Sequence, residues 1–206
     1  MEVLIVAKTH MKNGVCVGGY DITNKRNVRL LGPNAENQPF DTDLNVGQVW
    51  DIAYSNRETI IPPHIEDVLI ASRKFLRTES NMYSFLIKSA PIWRGDPTCI
   101  FEGKVDFPRG KSCFIPNPQN LPSQSVGFWI SDDDLFLTIF SDQRHYYYFN
   151  EYGDVYTIPF VGFQPVQKVI KKGSIIRVSL ARWWSPPGSN SDKKCYCQMS
   201  GWYDVG

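Results

Sequence analysis

A chain of 206 residues with 22 Lys and Arg against 21 Asp and Glu has a formal charge of +1. That balance excludes a global field drawing it to polyanions or membranes, so any basic surface has to be local. The length is comfortable for two small cores, no apolar run is long enough to span a bilayer, and the apolar part of the opening MEVLIVAKTH is too short for a signal peptide. Five cysteines, an odd number without framework spacing, fit reduced thiols. These features together predict an intracellular, cytoplasmic protein.

In chain order, Val3–Ala7 is a continuous run rich in branched residues and predicts a buried first strand. The stretch 8–21, KTHMKNGVCVGGYD, reads as a loop in which Gly14, Gly18 and Gly19 let the backbone approach a ligand. Arg26–Leu31, Gly47–Tyr54 and Asp67–Ala71 read as three further strands. Ser80–Ala90 predicts the one helix, with Met82, Phe85 and Leu86 at helical spacing and Pro91 as its stop. Cys99–Glu102 reads as a last strand of the first half, and the helix is short enough to plug one end of a barrel. Residues 103–125 hold four prolines (108, 116, 118 and 122) and little periodicity, which marks a connector.

Beyond it, Leu135–Phe140, Arg144–Asn150 and Val155–Phe163 are strand-like in aromatic and branched content. The chain closes on a predicted hairpin. In 174–184, Ile176, Val178 and Leu180 share one face while Arg177, Ser179 and Trp183 share the other. In 195–203, Cys195, Cys197 and Met199 oppose Tyr196, Gln198, Ser200 and Trp202. The hairpin would then have an apolar back and a front of indoles and guanidiniums suited to stacking on planar ligands.

GQVWDIAY (47–54) and GSIIRVSL (173–180) align without a gap. That echo, with short strands in both halves, predicts a mainly β fold of two tandem OB-like (oligonucleotide-binding) β-barrels, with one helix in the first half. The first barrel would occupy residues 1–108, with its helix near 80–90, the Pro-rich connector 109–125 and the second barrel 126–206. A single large sandwich is the competing architecture.

The blocks VLIVAKTHMKNGVCVGGYD, NVRLLGP, VGQVWDIAY, PPHIEDVLI, SLARWW and QMSGWY, in that order over nearly the whole chain, resemble the bacterial dual OB-fold-containing domain family. The resemblance implies paired OB folds, nucleic-acid or nucleotide recognition, and a setting near conflict or defence genes. It carries no catalytic residues.

The residues expected to hold such a ligand are Lys8, Lys12, Gly18, Gly19, Arg26, Arg29, Arg177, Arg182, Trp183, Trp184, Tyr196 and Trp202. The partner would be single-stranded nucleic acid or a nucleotide, or alternatively a protein effector docking on the aromatic surface. No cofactor, metal or catalytic set is expected. Arg109-Gly110-Lys111-Ser112 lacks the earlier glycine of a phosphate-binding loop, since position 105 is Val105. Cys195 and Cys197 are spaced as strand residues pointing into a core, not as a zinc pair. Cys16 with His10 or His64 is the one candidate nucleophile and base. Asp132, Asp133 and Asp134 read as a solvated turn, and His64, Glu66 and Asp67 as structural groups.

Overall fold

The run VLIVA is buried on both faces, and that fact organises the molecule. Val3 and Ile5 point into one core with Val17, Val28, Leu30, Trp50 and Ile52. Leu4 and Val6 point the opposite way, into a second core shared with Phe128, Ile130, Ile175 and Tyr203 from the other end of the chain. A strand that alternates between two apolar environments has no polar face to show, hence the unbroken run. The computed structural model describes residues 1–108, 112–116, 118–188 and 191–205.

The first half is a closed five-stranded barrel. Its strands are β1 (Glu2–His10), β2 (Val15–Asp21), β3 (Arg26–Leu31), β4 (Gln48–Asn56) and β5 (Asp67–Thr78). They are ordered β1, β2, β3, β5, β4, with β3 and β5 parallel and β1 shared between β2 and β4. The predicted loop 8–21 is thus largely strand. The glycines misled because Gly18 and Gly19 serve close packing and not turning: a Cβ on Gly19 would meet Val3 Cγ1 at 2.5 Å. β5 also runs seven residues past the predicted Ala71, to Thr78. Its polar outer half is held by pairing with β4, and Phe75 packs edge-on against Trp50.

Helix α1 (Met82–Ser89) starts where Asn81 Oδ1 accepts the Ser84 N–H at 2.8 Å. It ends before Pro91, whose missing N–H and ring cannot continue it. Leu86 is its buried residue, and Met82, Tyr83, Phe85 and Ile87 also pack on the shared core. The helix seals the joint between the two halves and does not plug one barrel. Each large apolar side chain buried there stabilises the joint by about 1.5–3 kcal/mol.

The second half uses β6 (Ile92–Gly95), β7 (Phe114–Ile115), β8 (Val126–Ser131), β9 (Leu135–Phe140), β10 (Gln143–Phe149), β11 (Val155–Pro159), β12 (Val169–Ile170), β13 (Ile175–Leu180) and β14 (Cys195–Tyr203). They form a five-stranded sheet in the order β6, β8, β13, β14, β7, and a four-stranded sheet in the order β11, β10, β9, β12. Taken as one bent strand, β8 and β9 pair with β13 at one end and β10 at the other. β1 pairs with β4 and β2 in the same manner. The order of the first half is therefore repeated, but the sheets do not close with a full ladder. One parallel bridge, Phe160 to Met199, joins β11 to β14. Pro159 ends β11 without an N–H to extend the pairing. The expectation of two barrels holds for one closed barrel and one half-barrel.

The echo between 47–54 and 173–180 falls on β4 and β13, which occupy equivalent places. Both start from a glycine in the left-handed region, Gly47 at φ +88° and Gly173 at φ +86°. Residues 97–103 form a 3-10 turn, not the strand expected over Cys99–Glu102. Phe101 and Glu102 both take positive φ, which breaks any extended run. β6 and β7 hydrogen-bond into the five-stranded sheet, so residues 92–95 and 114–115 pack with the second half. Part of the expected connector, 109–111 and 117, lies outside the described residues, and with it the Arg109-Gly110-Lys111 run. No helix among the described residues is long and apolar enough to cross a membrane.

Candidate functional site

Six of the residues singled out from sequence converge on the seam between the halves. Gly18, Arg29, Arg177, Arg182, Trp183 and Trp184 line a cavity of about 370 Å³ with His64, Glu66 and Cys16. The parallel register of β3 and β5 sets Arg29, one of its lining residues, opposite Asp67. Asp67 is 4% exposed and meets Arg29 at 3.6 Å, Arg57 at 3.1 Å and Arg182, which comes from the second half. A buried carboxylate is tolerable only when so paired. Glu66 accepts the Ser125 N–H at 2.6 Å and its hydroxyl at 2.7 Å. Burial nevertheless pushes the Glu66 carboxyl above its ordinary pKa.

Arg177 does not present a solvent face, as the hairpin pattern predicted. It is 4% exposed and lies across Gly18, where a Cβ would stand 2.5 Å from its Nη2. The alternation was read correctly, but the opposite face of β13 is covered by β2. Nη1 donates to Ser200 Oγ at 3.0 Å, while the buried Nε has no partner.

His64 holds the seam through its backbone neighbours. Its Nε2 lies 3.2 Å from the Leu180 carbonyl oxygen and 3.1 Å from that of Ala181. Both are acceptors, so Nε2 carries the hydrogen and Nδ1 is a bare, buried lone pair. Desolvation, helped by Arg182, lowers the imidazole to about 4. In the unfolded chain it titrates near 6.5. Acidification from neutrality therefore protonates the unfolded chain first, and stability falls between pH 6.5 and about 4. The gap is worth about 3 kcal/mol; Glu66, raised by burial, works in the opposite sense. A titration followed by imidazole NMR shifts should leave His64 neutral down to about pH 4, whereas an inflection near 6.5 would show a solvated ring.

The cavity opens onto a larger groove of about 750 Å³ that shares His10, Trp184 and Gln198 with it and adds Arg144 and Tyr196. That groove continues into a third, of about 850 Å³, over the outer face of β9, β10 and β11. Tyr147, His145 and Thr157 line this last one, with Phe140, Tyr196 and Lys194. The same sheet face carries Phe136 and Phe149, their rings 5.9 Å apart. Phe136, Phe140 and Phe149 are 42%, 73% and 45% exposed. Lys194 Nζ sits 3.7 Å above the Phe114 ring at one edge. The sequence reading placed these strands but missed the face. The signal was available: in QRHYYYF, His145, Tyr147 and Phe149 fall on one side by period two, and register sets Tyr147 opposite Phe136.

Lys8, Lys12, Gly19, Arg26 and Trp202 lie elsewhere. Lys8 donates to Asn45 Oδ1 at 3.1 Å, and burial lowers its pKa. Lys12 lines a separate surface hollow with Gly14 and Gln38. Arg26 donates to Asn56 at 2.8 Å and lies over the Tyr54 ring, near the chain start. Gly18 and Gly19 sit within the β2 ladder and not in the expected loop, which leaves Gly14 alone in the turn. Trp183 donates its indole N–H to the Pro62 carbonyl at 2.8 Å. Trp202 is core, 3% exposed against Phe160 and Tyr146. A β-bulge explains it: Val178 pairs with Met199 but Arg177 pairs with Gly201, leaving Ser200 unmatched. The extra residue flips the strand's parity, and Trp202 joins the face of Cys195, Cys197 and Met199.

Those thiols are core residues with Cys113. Desolvation raises Cys195 to about 12 and Cys197 well above its ordinary value. Cys16 lines the seam cavity with His10 and His64, but no hydrogen bond joins it to either. His10 is stacked flat on Phe163 at 3.8 Å. The acid cluster ties a turn: Asp132 accepts the Tyr148 hydroxyl at 2.9 Å, and Asp134 pairs with Lys171 at 2.8 Å.

No curated protein matches the chain. Two solved structures align with all of it. One is described as a murine DNA binding protein bound with ds DNA (13% identity, 98% of that chain covered, TM-score 0.31). The other is the Ifi202 HINa domain in complex with 20bp dsDNA (11% identity, 96% covered, TM-score 0.38). The family described as the dual OB-containing domain matches residues 1–202, spanning the closed barrel and the half-barrel alike. The chain belongs to that family.

Proposed function

We propose that this protein is a non-catalytic recognition module for single-stranded nucleic acid. The observation that carries the reading is the outer face of β9, β10 and β11. It presents exposed Phe136, Phe140 and Phe149 and part-exposed Tyr147, of which Phe140 and Tyr147 line a groove that Lys194 edges. In OB folds the ligand lies across this part of the sheet, between the loop joining the first two strands and the loop joining the last two. Here those loops are 141–142 and, among the described residues, 181–188 with 191–194. Rings on a sheet stack on unpaired bases, which a duplex keeps hidden, so a single strand fits better. The near-zero net charge is no obstacle, because stacking supplies about 1–3 kcal/mol per base.

Fluorescence anisotropy with labelled oligothymidylate, its RNA counterpart and a duplex, at low and moderate salt, tests this. Single strands should bind, with affinity falling modestly as salt rises. A preference for the duplex, or no binding at either salt, would overturn the reading. A second reading rests on Phe140, 73% exposed at the end of the same face, and on Ile139 beside it, 61% exposed on the opposite face of the same strand end. They would suit a protein partner, and that complex would be insensitive to salt.

A further inference from the structure

The seam cavity holds something the sheet face does not: a buried guanidinium outside every ion pair among the described residues, with Glu66 acting on it only from longer range. Three arginines reach this space. Arg29 and Arg182 both share the Asp67 carboxylate. Arg177 enters none of the ion pairs among the described residues, and the one hydrogen bond its guanidinium makes is to Ser200. It is nonetheless 96% buried by the complement of its 4% exposure. Glu66, the other acid in the wall, spends both oxygens on Ser125. Arginine does not shed its proton to escape burial. Burial still outweighs the support Glu66 gives this charge, so an anion that reached the guanidinium directly would offset the desolvation.

We propose that the cavity between the two halves is a phosphate-monoester pocket, with Arg177 as its anchor. A guanidinium offers paired N–H groups matched to phosphate oxygens. The volume of about 370 Å³ lies at the lower end of small-molecule sites, enough for a phosphate with part of its nucleoside. Trp183 and Trp184 also line it, indoles of the kind that stack on a base. The phosphate would come either from a free nucleotide or from the phosphorylated end of a strand. The strand-end source rests on the reading above, because Trp184 also lines the groove leading to the β9–β11 face.

The test compares phosphorylated and unphosphorylated forms of the same probes on the whole chain. Calorimetry with adenosine and cytidine 5′-monophosphates against the parent nucleosides reads the free-nucleotide source. Anisotropy with oligothymidylates bearing a 5′-phosphate, a 3′-phosphate or only hydroxyls reads the strand-end source. A phosphate should tighten binding by roughly tenfold or more in at least one arm. Arg177→Met keeps the length and removes the charge, and should erase that preference while the hydroxyl oligonucleotides bind as before. If the variant does not fold, the wild-type comparison still decides. Equal affinity for phosphate and hydroxyl forms in both arms overturns the pocket and leaves strand recognition standing. Monophosphate binding without oligonucleotide binding upholds the pocket and removes strand recognition. A phosphate preference that survives Arg177→Met in a folded protein overturns the pocket.

Discussion

Trp202→Ala is expected to destabilise the protein by about 3–5 kcal/mol, a large share of the roughly 5–15 kcal/mol available to a typical domain. The indole fills the core of the half-barrel, its ring 5.0 Å from Phe160 and 5.8 Å from Tyr146. Its backbone is clamped as well, since Gln164 accepts from its N–H and donates to its carbonyl, both at 2.9 Å. Deleting the ring removes apolar contacts from both sheets at the place where a single bridge joins them. The half-barrel has no continuous ladder there to resist opening. Urea unfolding followed by near-ultraviolet circular dichroism measures the loss. Trp202→Phe should recover much of the stability and bind oligonucleotides like the wild type. A cost below about 1 kcal/mol, with binding lost, would return Trp202 to the ligand face where simple alternation puts it.

What could be read from the sequence depended on whether a pattern stayed in phase. Helix α1 was legible because its apolar spacing and Pro91 agree with each other. The duplication was legible because Gly47 and Gly173 each precede a strand, β4 and β13, that holds the equivalent place in its half, and each takes positive φ. β2 was not legible. Its Gly18 and Gly19 look like turn residues, and only the tertiary fold shows that Arg177 and Val3 lie against them. β8 was missed because VGFWIS is buried along almost its whole length and shows no alternation. The seam site was half legible. Arg177, Arg182, Trp183 and Trp184 were named but assigned to an open face, because no sequence pattern reports that a second sheet will cover the first. The aromatic face of β9–β11 escaped for the opposite reason: it needs the cross-strand register to bring Phe136 beside Tyr147.

Tyr147→Ala and Tyr196→Ala are each expected to weaken oligonucleotide binding by about 1–3 kcal/mol, and together by about 2–6 kcal/mol if their effects add. Both side chains line the groove over β10 and β14. Tyr147 is the cleaner probe, because its outward face contributes little to the core. Tyr196 also packs on Phe114 and Trp184, at 5.8 and 6.0 Å, so its stability must be measured alongside. Lys194→Ala should act differently. Its charge lies over Phe114 at the groove edge; removing one phosphate contact lowers the salt slope by about 0.7 for a single strand and leaves stacking intact. The two kinds of variant therefore separate ring contacts from charge contacts in one anisotropy series. Should Tyr147→Ala bind normally while Phe140→Ala abolishes capture of a protein partner at every salt, the exposed rings are a protein-docking surface. The strand-binding reading would then have lost the face on which it stands.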